Sequence, residues 1–262
     1  MIQRNAIIKW RKTAPWKDPR FVEQDLVISR ALVSIFRDEY LKGKLAFRGG
    51  TAIYKLFLTP PARYSEDIDF VQIDTEPIGQ VLDKIRTVLS FLGDPKTKRK
   101  ASNNVLAYRF NAEEPQGVVL SLKIEINCRE HIPVYELQTR LFKMESQWFS
   151  GECDIVTYNL NELMGTKLRA LYQRKKGRDL FDLYTALESG KLDAGAVIEC
   201  FKKYMTFHDL HIPTRVEYTR NLEDKMEDSQ FRRDILPFLA QGIKYDIDKA
   251  LKTVCEQLVE LV

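Results

Sequence analysis

Three carboxylates and a pair of glycines are spaced so that they could act on one ligand. Asp67 and Asp69 lie two apart in Asp-Ile-Asp-Phe. On a strand they share a face while Ile68 and Phe70 turn to the core. Two parallel carboxylates repel each other unless a cation sits between them. A divalent ion with oxygen ligands, Mg²⁺ or Mn²⁺, is the expected occupant, since Mg²⁺ usually joins one or two carboxylates to substrate phosphates. Glu125 offers a third acid on the polar face of an alternating run. If the two strands are neighbours, three metal-binding acids meet on one surface. Upstream, Gly49-Gly50-Thr51 closes one apolar segment and opens another. Glycines let backbone approach a ligand closely, and a helix start offers unsatisfied N–H groups to an anion. Thr51 is expected to cap that helix or touch a phosphate. A phosphate cradle beside a metal cluster describes a nucleoside triphosphate site.

Each signal alone has an ordinary reading. A Gly-Gly pair is usually a turn, and Asp-x-Asp on an edge strand is usually solvated. The order of the two, with Arg63-x-Ser65 leading in, makes the pattern specific.

The elements that must position these residues follow from periodicity. Apolar residues at helical spacing predict a helix over 21–40, then a short strand over 44–48 and a helix over 51–58 that Pro60-Pro61 stops. A strand over 67–72 and a helix over 76–92 come next. The basic stretch 96–104 reads as a loop, followed by strands over 105–111 and 118–128. In the last of these Leu120, Leu122, Ile124 and Ile126 alternate with Ser121, Lys123, Glu125 and Asn127. Beyond Tyr158 helical periodicity dominates, with helices expected over 160–175, 178–189, 193–206 and 246–261. The fold class is therefore α+β, a mixed sheet with flanking helices followed by a helical half. The expected domains are 1–158, carrying the metal site, and 159–262, completing the active-site cleft.

Composition narrows the setting. The chain has 262 residues, 44% of them hydrophobic, which suits a globular protein with a sizeable core. A net charge of +4 permits a nucleic-acid partner without requiring one. Four cysteines without a CxxC pair suggest a reducing compartment, and a cytoplasmic protein without a membrane segment is expected. Three histidines and no G-x-S-x-G argue against a zinc site or a serine hydrolase. The runs Lys9–Lys12 and Lys96–Lys100 are either plain solvated surface or contacts for an RNA backbone.

A second charged constellation lies in the helical half. Lys167 and Arg174 are seven apart and would share a helix face. Gly177 is expected to break the helix and let Arg178-Asp179 open the next, with Asp182 close behind. Lys and Arg near a triphosphate would offset charge moving to the leaving pyrophosphate. A solvated basic face, or an Arg178–Asp182 ion pair joining two helices, are the plainer readings.

These residues carry a family resemblance. Arg48-Gly-Gly-Thr-Ala-Ile53, Arg63-Tyr-Ser-Glu-Asp-Ile-Asp-Phe70 and Lys123-Ile-Glu-Ile126 resemble the DNA-polymerase-β-type nucleotidyltransferase superfamily. The segment from Lys167 through Ala170, Leu171, Arg174, Arg178, Asp179 and Asp182 to Leu183 is similar to the third motif of AbiEii/AbiGii-type toxins, the family that includes the MenT proteins. The resemblance spans roughly residues 30–190. It implies a polymerase-β-like fold and metal-dependent transfer of NMP from an NTP to an acceptor hydroxyl. Asp67, Asp69 and Glu125 would be the metal-binding and catalytic acids, with Lys167 gripping phosphate and Asp179, rather than Asp182, completing the site. Arg48, Gly49, Gly50, Thr51, Ser65, Lys167, Arg174 and Arg178 would bind the nucleotide, a pyrimidine such as CTP or UTP. The implied acceptor is the 3′ end of tRNA, the outcome arrested translation, and the implied partner a cognate antitoxin. An antibiotic or protein hydroxyl as acceptor, and a non-catalytic nucleotide- or RNA-binding module, remain the competing readings. Glu66 between Ser65 and Asp67 departs from the plainest form of the motif and blurs which acid binds metal; strand spacing favours Asp67 and Asp69.

Overall fold

The structure, a computed structural model, describes residues 2–99, 103–113 and 116–262. The chain divides into two compact units, Met1–Tyr158 and Asn159–Val262.

The first unit contains helices α1 (Arg4–Trp10), α2 (Pro19–Phe36), α3 (Glu39–Lys44), α4 (Gly49–Leu56) and α5 (Gly79–Val88). Its strands are β1 (Leu45–Arg48), β2 (Asp67–Gln72), β3 (Lys96–Arg99), β4 (Asn103–Asn111), β5 (Val119–Asn127), β6 (Gln138–Glu145) and β7 (Ser150–Thr157). They form one seven-stranded sheet in the order β3-β4-β5-β2-β1-β7-β6. β2 runs parallel to β5 and antiparallel to β1. The alternation in β5 works as periodicity demands: Leu122, Ile124 and Ile126 are fully buried, while Lys123 and Glu125 are half-exposed. Phe47 of β1 and Phe70 of β2 meet on that apolar face at 5.7 Å, and Phe36 of α2 closes edge-on at 5.8 Å.

α2 begins at Pro19, with Asp18 accepting from the Arg20 N–H. It ends at Phe36 and does not run on to residue 40, because the Asp38 carboxylate accepts the Leu41 N–H at 3.0 Å and caps a separate helix, α3. A buried charge ties three helices together. Asp25 of α2 accepts from the Trp10 indole at 2.8 Å and from Lys55 of α4 at 2.7 Å.

Residues 96–99 are an edge strand paired with β4 and not the expected loop. Every side chain on β3 is exposed, so no apolar alternation marked it in the sequence. Lys100, from the same basic run, lies outside the described residues. The β6–β7 hairpin carried no expectation either. Three consecutive residues of β6, Thr139, Arg140 and Leu141, are exposed. β7 joins β1 through Phe47 opposite Thr157, whose hydroxyl donates to the Phe47 carbonyl at 2.7 Å.

The second unit consists of α6 (Leu160–Gln173), α7 (Gly177–Glu188), α8 (Ala194–Phe207), α9 (Arg215–Met226), α10 (Ser229–Arg233) and α11 (Ile247–Gln257). α9 carries a Thr214/Glu217 capping box, a legible start signal that the periodicity reading passed over. α6 stops two residues short of its expected end. Lys225 of α9 donates to the carbonyls of Leu171 and Tyr172 and satisfies the last turn. Burial pushes the Lys225 ammonium down to about 8.

α6 and α8 touch at Gly165, where an added Cβ would stand 2.5 Å from Cys200 Cβ and 2.9 Å from the Val197 carbonyl. Gly165→Ala is expected to lower the urea midpoint. Overpacking costs about 1–3 kcal/mol and outweighs a helix-propensity gain of at most about 1 kcal/mol. Gly43→Ala, with nothing within 4 Å of the added carbon, is expected to hold or raise it.

Candidate active site

β1 ends at Arg48, and the chain turns into α4 through Gly49 at φ 77°, a left-handed conformation that favours glycine. The missing side chain matters as much, since a Cβ at Gly49 would run into the Asp69 carboxylate. A Cβ at Gly50 would stand 2.5 Å from the Arg63 guanidinium and 2.9 Å from Ser65 Oγ. The two glycines thus let the start of α4 lie directly against Asp69, Arg63 and Ser65.

Thr51 does not cap α4. The capping position is Arg48, in extended conformation and without a capping side-chain bond. The Thr51 side chain is buried instead, and its hydroxyl donates to the main-chain carbonyl of Asp67. It pins the helix to β2. The Arg48 side chain forms an ion pair with the buried Glu130, a partner the sequence did not reveal.

Register decides what Asp67 and Asp69 face. Asp67 pairs with Lys123 and Asp69 with Glu125 across the parallel β2–β5 junction. All four side chains leave the sheet on one side. Lys123 is ion-paired with Glu125, and its ammonium lies 4.0 Å from Asp67 Oδ2. Burial, and then the neighbouring charge of Asp69, raise the Asp67 carboxyl to about 7 against the partial relief of Lys123. Burial works against the Lys123 charge, but its bond to Glu125 and the nearby aspartates raise the ammonium above its usual range.

This donor set fits a hard cation. Asp67 and Asp69 offer oxygen ligands from one face, and their crowding makes a bound cation favourable. Among the described residues no group of three His, Cys, Asp or Glu side chains is arranged to hold an ion. Glu125 is engaged by Lys123, and of the two aspartates on this face it is Asp69 that lies against the Gly49 turn. Lys123 was legible as the polar-face neighbour of Glu125, but nothing in the sequence said that it would bind that acid.

The second constellation is a buried charge network within the helical unit. Lys167 of α6 reaches Asp179 Oδ1 at 2.9 Å and Asp182 Oδ2 at 2.8 Å, and both aspartates are fully buried. Arg174 does not continue the helix face of Lys167. It is the extended C-cap of α6 and folds back to grip Asp179 through two bonds of 2.7 and 2.9 Å. Burial alone would raise the Asp179 carboxyl, but Lys167 and Arg174 outweigh it and hold the group below its usual range. Arg178 binds Asp234: its Nε donates to Asp234 at 3.2 Å and its main-chain N–H to the same oxygen at 3.1 Å. Gly177 opens α7 against the Phe231 carbonyl, so the helix break falls at Arg174, before the glycine.

A mixed sheet that presents an Asp-x-Asp pair beside a Gly-Gly helix start defines a nucleotidyltransferase fold. The structure is similar to MenT4, a nucleotidyltransferase toxin from Mycobacterium tuberculosis, at 15% identity and a TM-score of 0.59, over 97% of this chain and 99% of that one. It is similar to JHP933 from Helicobacter pylori at 18% identity and a TM-score of 0.54, over 93% and 92%. No curated protein matches the sequence. The family model of the AbiEii nucleotidyl transferase toxins of type IV toxin–antitoxin systems matches residues 30–256. The chain belongs to that family, and it is a nucleotidyltransferase. The family implies an NTP substrate and a cognate antitoxin. Among the described residues no helix is long and apolar enough to cross a membrane.

Two outcomes follow from the charges. Because folding raises the Asp67 carboxyl, this group stabilises the fold below its unfolded value near 3.8, and the contribution is lost as pH rises towards about 7. In chelator, Asp67→Asn is therefore expected to raise the melting temperature at pH 8 relative to wild type and to leave it unchanged at pH 4. Thermal melts across that range check it. Lys167→Met leaves Asp182 and Asp179 buried with less compensation, and urea unfolding is expected to show a loss of about 3–5 kcal/mol.

Proposed function

We propose that this nucleotidyltransferase transfers NMP from an NTP to the 3′ end of tRNA and thereby blocks translation, as a cytoplasmic toxin held in check by its antitoxin. The observation that carries the chemistry is the Asp67–Asp69 pair on one face of β2, with Asp69 against the Gly49 turn. These two acids would hold Mg²⁺ or Mn²⁺. Held there, the ion would supply Lewis-acid stabilisation of the charge on the departing pyrophosphate. The free N–H groups at Gly49 and Gly50, with the Ser65 hydroxyl, would receive phosphate oxygens. Glu125, released from Lys123, would accept the proton of the acceptor hydroxyl as that oxygen attacks the α-phosphorus. The bond to the β-phosphate breaks, and pyrophosphate leaves. Arg48, fixed by Glu130, would border the nucleotide.

Lys167, Arg174 and Arg178 match the basic positions of the family motif, and we carry the phosphate-binding role to them, with Asp179 as the acid that completes the site. Lys167 and Arg174 are the strongest of these, since each already bears a charge on a carboxylate that phosphate oxygens can replace. A pyrimidine donor, CTP or UTP, follows from the same resemblance. The RNA acceptor is supported by the family motif filling every position from Lys167 to Leu183.

The test combines purified protein, Mg²⁺, total tRNA and each of four NTPs labelled at the α-phosphate. Label is expected in tRNA with CTP or UTP, and Asp69→Asn is expected to reduce it by at least about 10²-fold. Label on a protein or a small molecule instead would overturn the choice of acceptor. Full activity in chelator would overturn the metal.

A further inference from the structure

The sheet register links the acidic site on β2 to a set of exposed cations two and three strands away, on β4 and β3. Lys96 of β3 pairs with Ala107 of β4, which pairs with Lys123 of β5, which pairs with Asp67 of β2. In the next row but one, Lys98 pairs with Val105, then Glu125, then Asp69. Directly paired residues project from the same side of a sheet. Lys96 and Lys98 therefore lie on the face that carries the aspartates, each at the outer end of a row that finishes at one of them. Arg109, two residues beyond Ala107 on β4, is exposed on that same face. Strands lie about 4.8 Å apart, so β3 stands roughly 10 Å from Glu125 and about 14 Å from Asp69.

The opposite face of β3 is differently equipped. Thr97 points away from the acids and accepts a bond of 2.9 Å from Arg86 of α5. Lys44, Lys84 and Lys143 elsewhere in this unit each sit against a carboxylate. Among the described residues no ion pair involves Lys96, Lys98 or Arg109. Lysines on an edge strand also discourage edge-to-edge pairing. That purpose is served by a lysine on either face and leaves unexplained why both lysines share the acidic one.

We infer that Lys96, Lys98 and Arg109 form a track for the sugar–phosphate backbone of a single-stranded RNA end, with its terminal hydroxyl directed along the rows to Asp67 and Asp69. The inference rests on the reading that the acceptor is RNA. Each row runs from a lysine on β3 to an aspartate on β2, as such a strand requires: cations under the backbone phosphates, acids where the hydroxyl reacts. Contacts of this kind position a strand and carry no sequence information, so the track tolerates any sequence in the segment it holds.

The experiment compares wild type with the Lys96→Ala/Lys98→Ala/Arg109→Ala triple variant and with a Lys202→Ala/Lys203→Ala control on α8. Binding of fluorescein-labelled bulk tRNA is followed by anisotropy from 50 to 300 mM KCl, together with KM for tRNA and for NTP and a thermal melt. Each single-strand phosphate contact contributes about 0.7 to the slope of log K against log salt. The triple variant is expected to lose about 2 from that slope and at least about tenfold in RNA affinity. Its NTP KM and melting temperature should equal those of wild type, and the control should bind as wild type does. An unchanged slope and tRNA KM in a wild-type background that labels tRNA would overturn the track and leave the RNA reading standing. Wild type that neither binds nor labels RNA would overturn both. Variants that keep RNA affinity and lose only binding to poly-glutamate, a probe for acidic protein, would make the surface a protein-docking one and overturn the inference.

Discussion

The parallel pairing of β2 with β5 is the constraint on which the site depends. A one-residue slip in that register would turn Asp67 and Asp69 into the apolar layer and bring Ile68 and Phe70 out. The slip is prevented because Ile68 and Phe70 lie against Ile124 and Ile126 across the junction, all almost wholly buried. The hydrophobic face thus fixes where the charges go. Thr51 adds a second lock by bonding the Asp67 carbonyl, and Gly49 allows the α4 start to stand against the Asp69 carboxylate. Each of these devices spends backbone or apolar side chain to hold an arrangement of acids that is unfavourable by itself.

The two units settle buried charge in different ways. In the first, four charged groups share one sheet face, and Lys123 neutralises part of the acid while Asp67 is left with a strongly raised carboxyl. That imbalance is what a cation-binding site needs, because a perfectly paired set would have nothing to gain from a metal. In the second, Lys167 is shared by two aspartates and Arg174 doubles the grip on one of them. Here the charges are closely matched, with Lys167 and both aspartates buried and Arg174 reaching in from the surface, so the network specifies how α6, the residues after it and α7 are held together. Lys225 performs a related task by ending α6 through its carbonyls.

Much of this was legible in the sequence, for identifiable reasons. The first four residues of β2 and the second half of β5 alternate, and their acids could be placed on the polar face without coordinates. The Gly-Gly turn, helices α6, α7, α8 and α11 and the family motif from Lys167 to Leu183 were legible in the same way, while α9 and α10 were not. Elements that bury little were not: β3 is exposed throughout, and β6 is exposed over 139–141 and alternates only at Phe142 and Met144. Helix ends were missed where a side chain, Asp38 or Lys225, intervened in backbone bonding.

Sequence by itself determined residue chemistry and local face: which acids lie together, where glycine replaces a side chain, which family the motifs resemble. Only the tertiary structure decided partners. Glu130 for Arg48, Glu125 for Lys123, Asp234 for Arg178, and the Asp67 carbonyl for Thr51 are separated by 82, 2, 56 and 16 positions. Periodicity carries information about direction relative to a local axis. It carries none about which distant group closes an ion pair, because that choice is made by packing after the elements have formed.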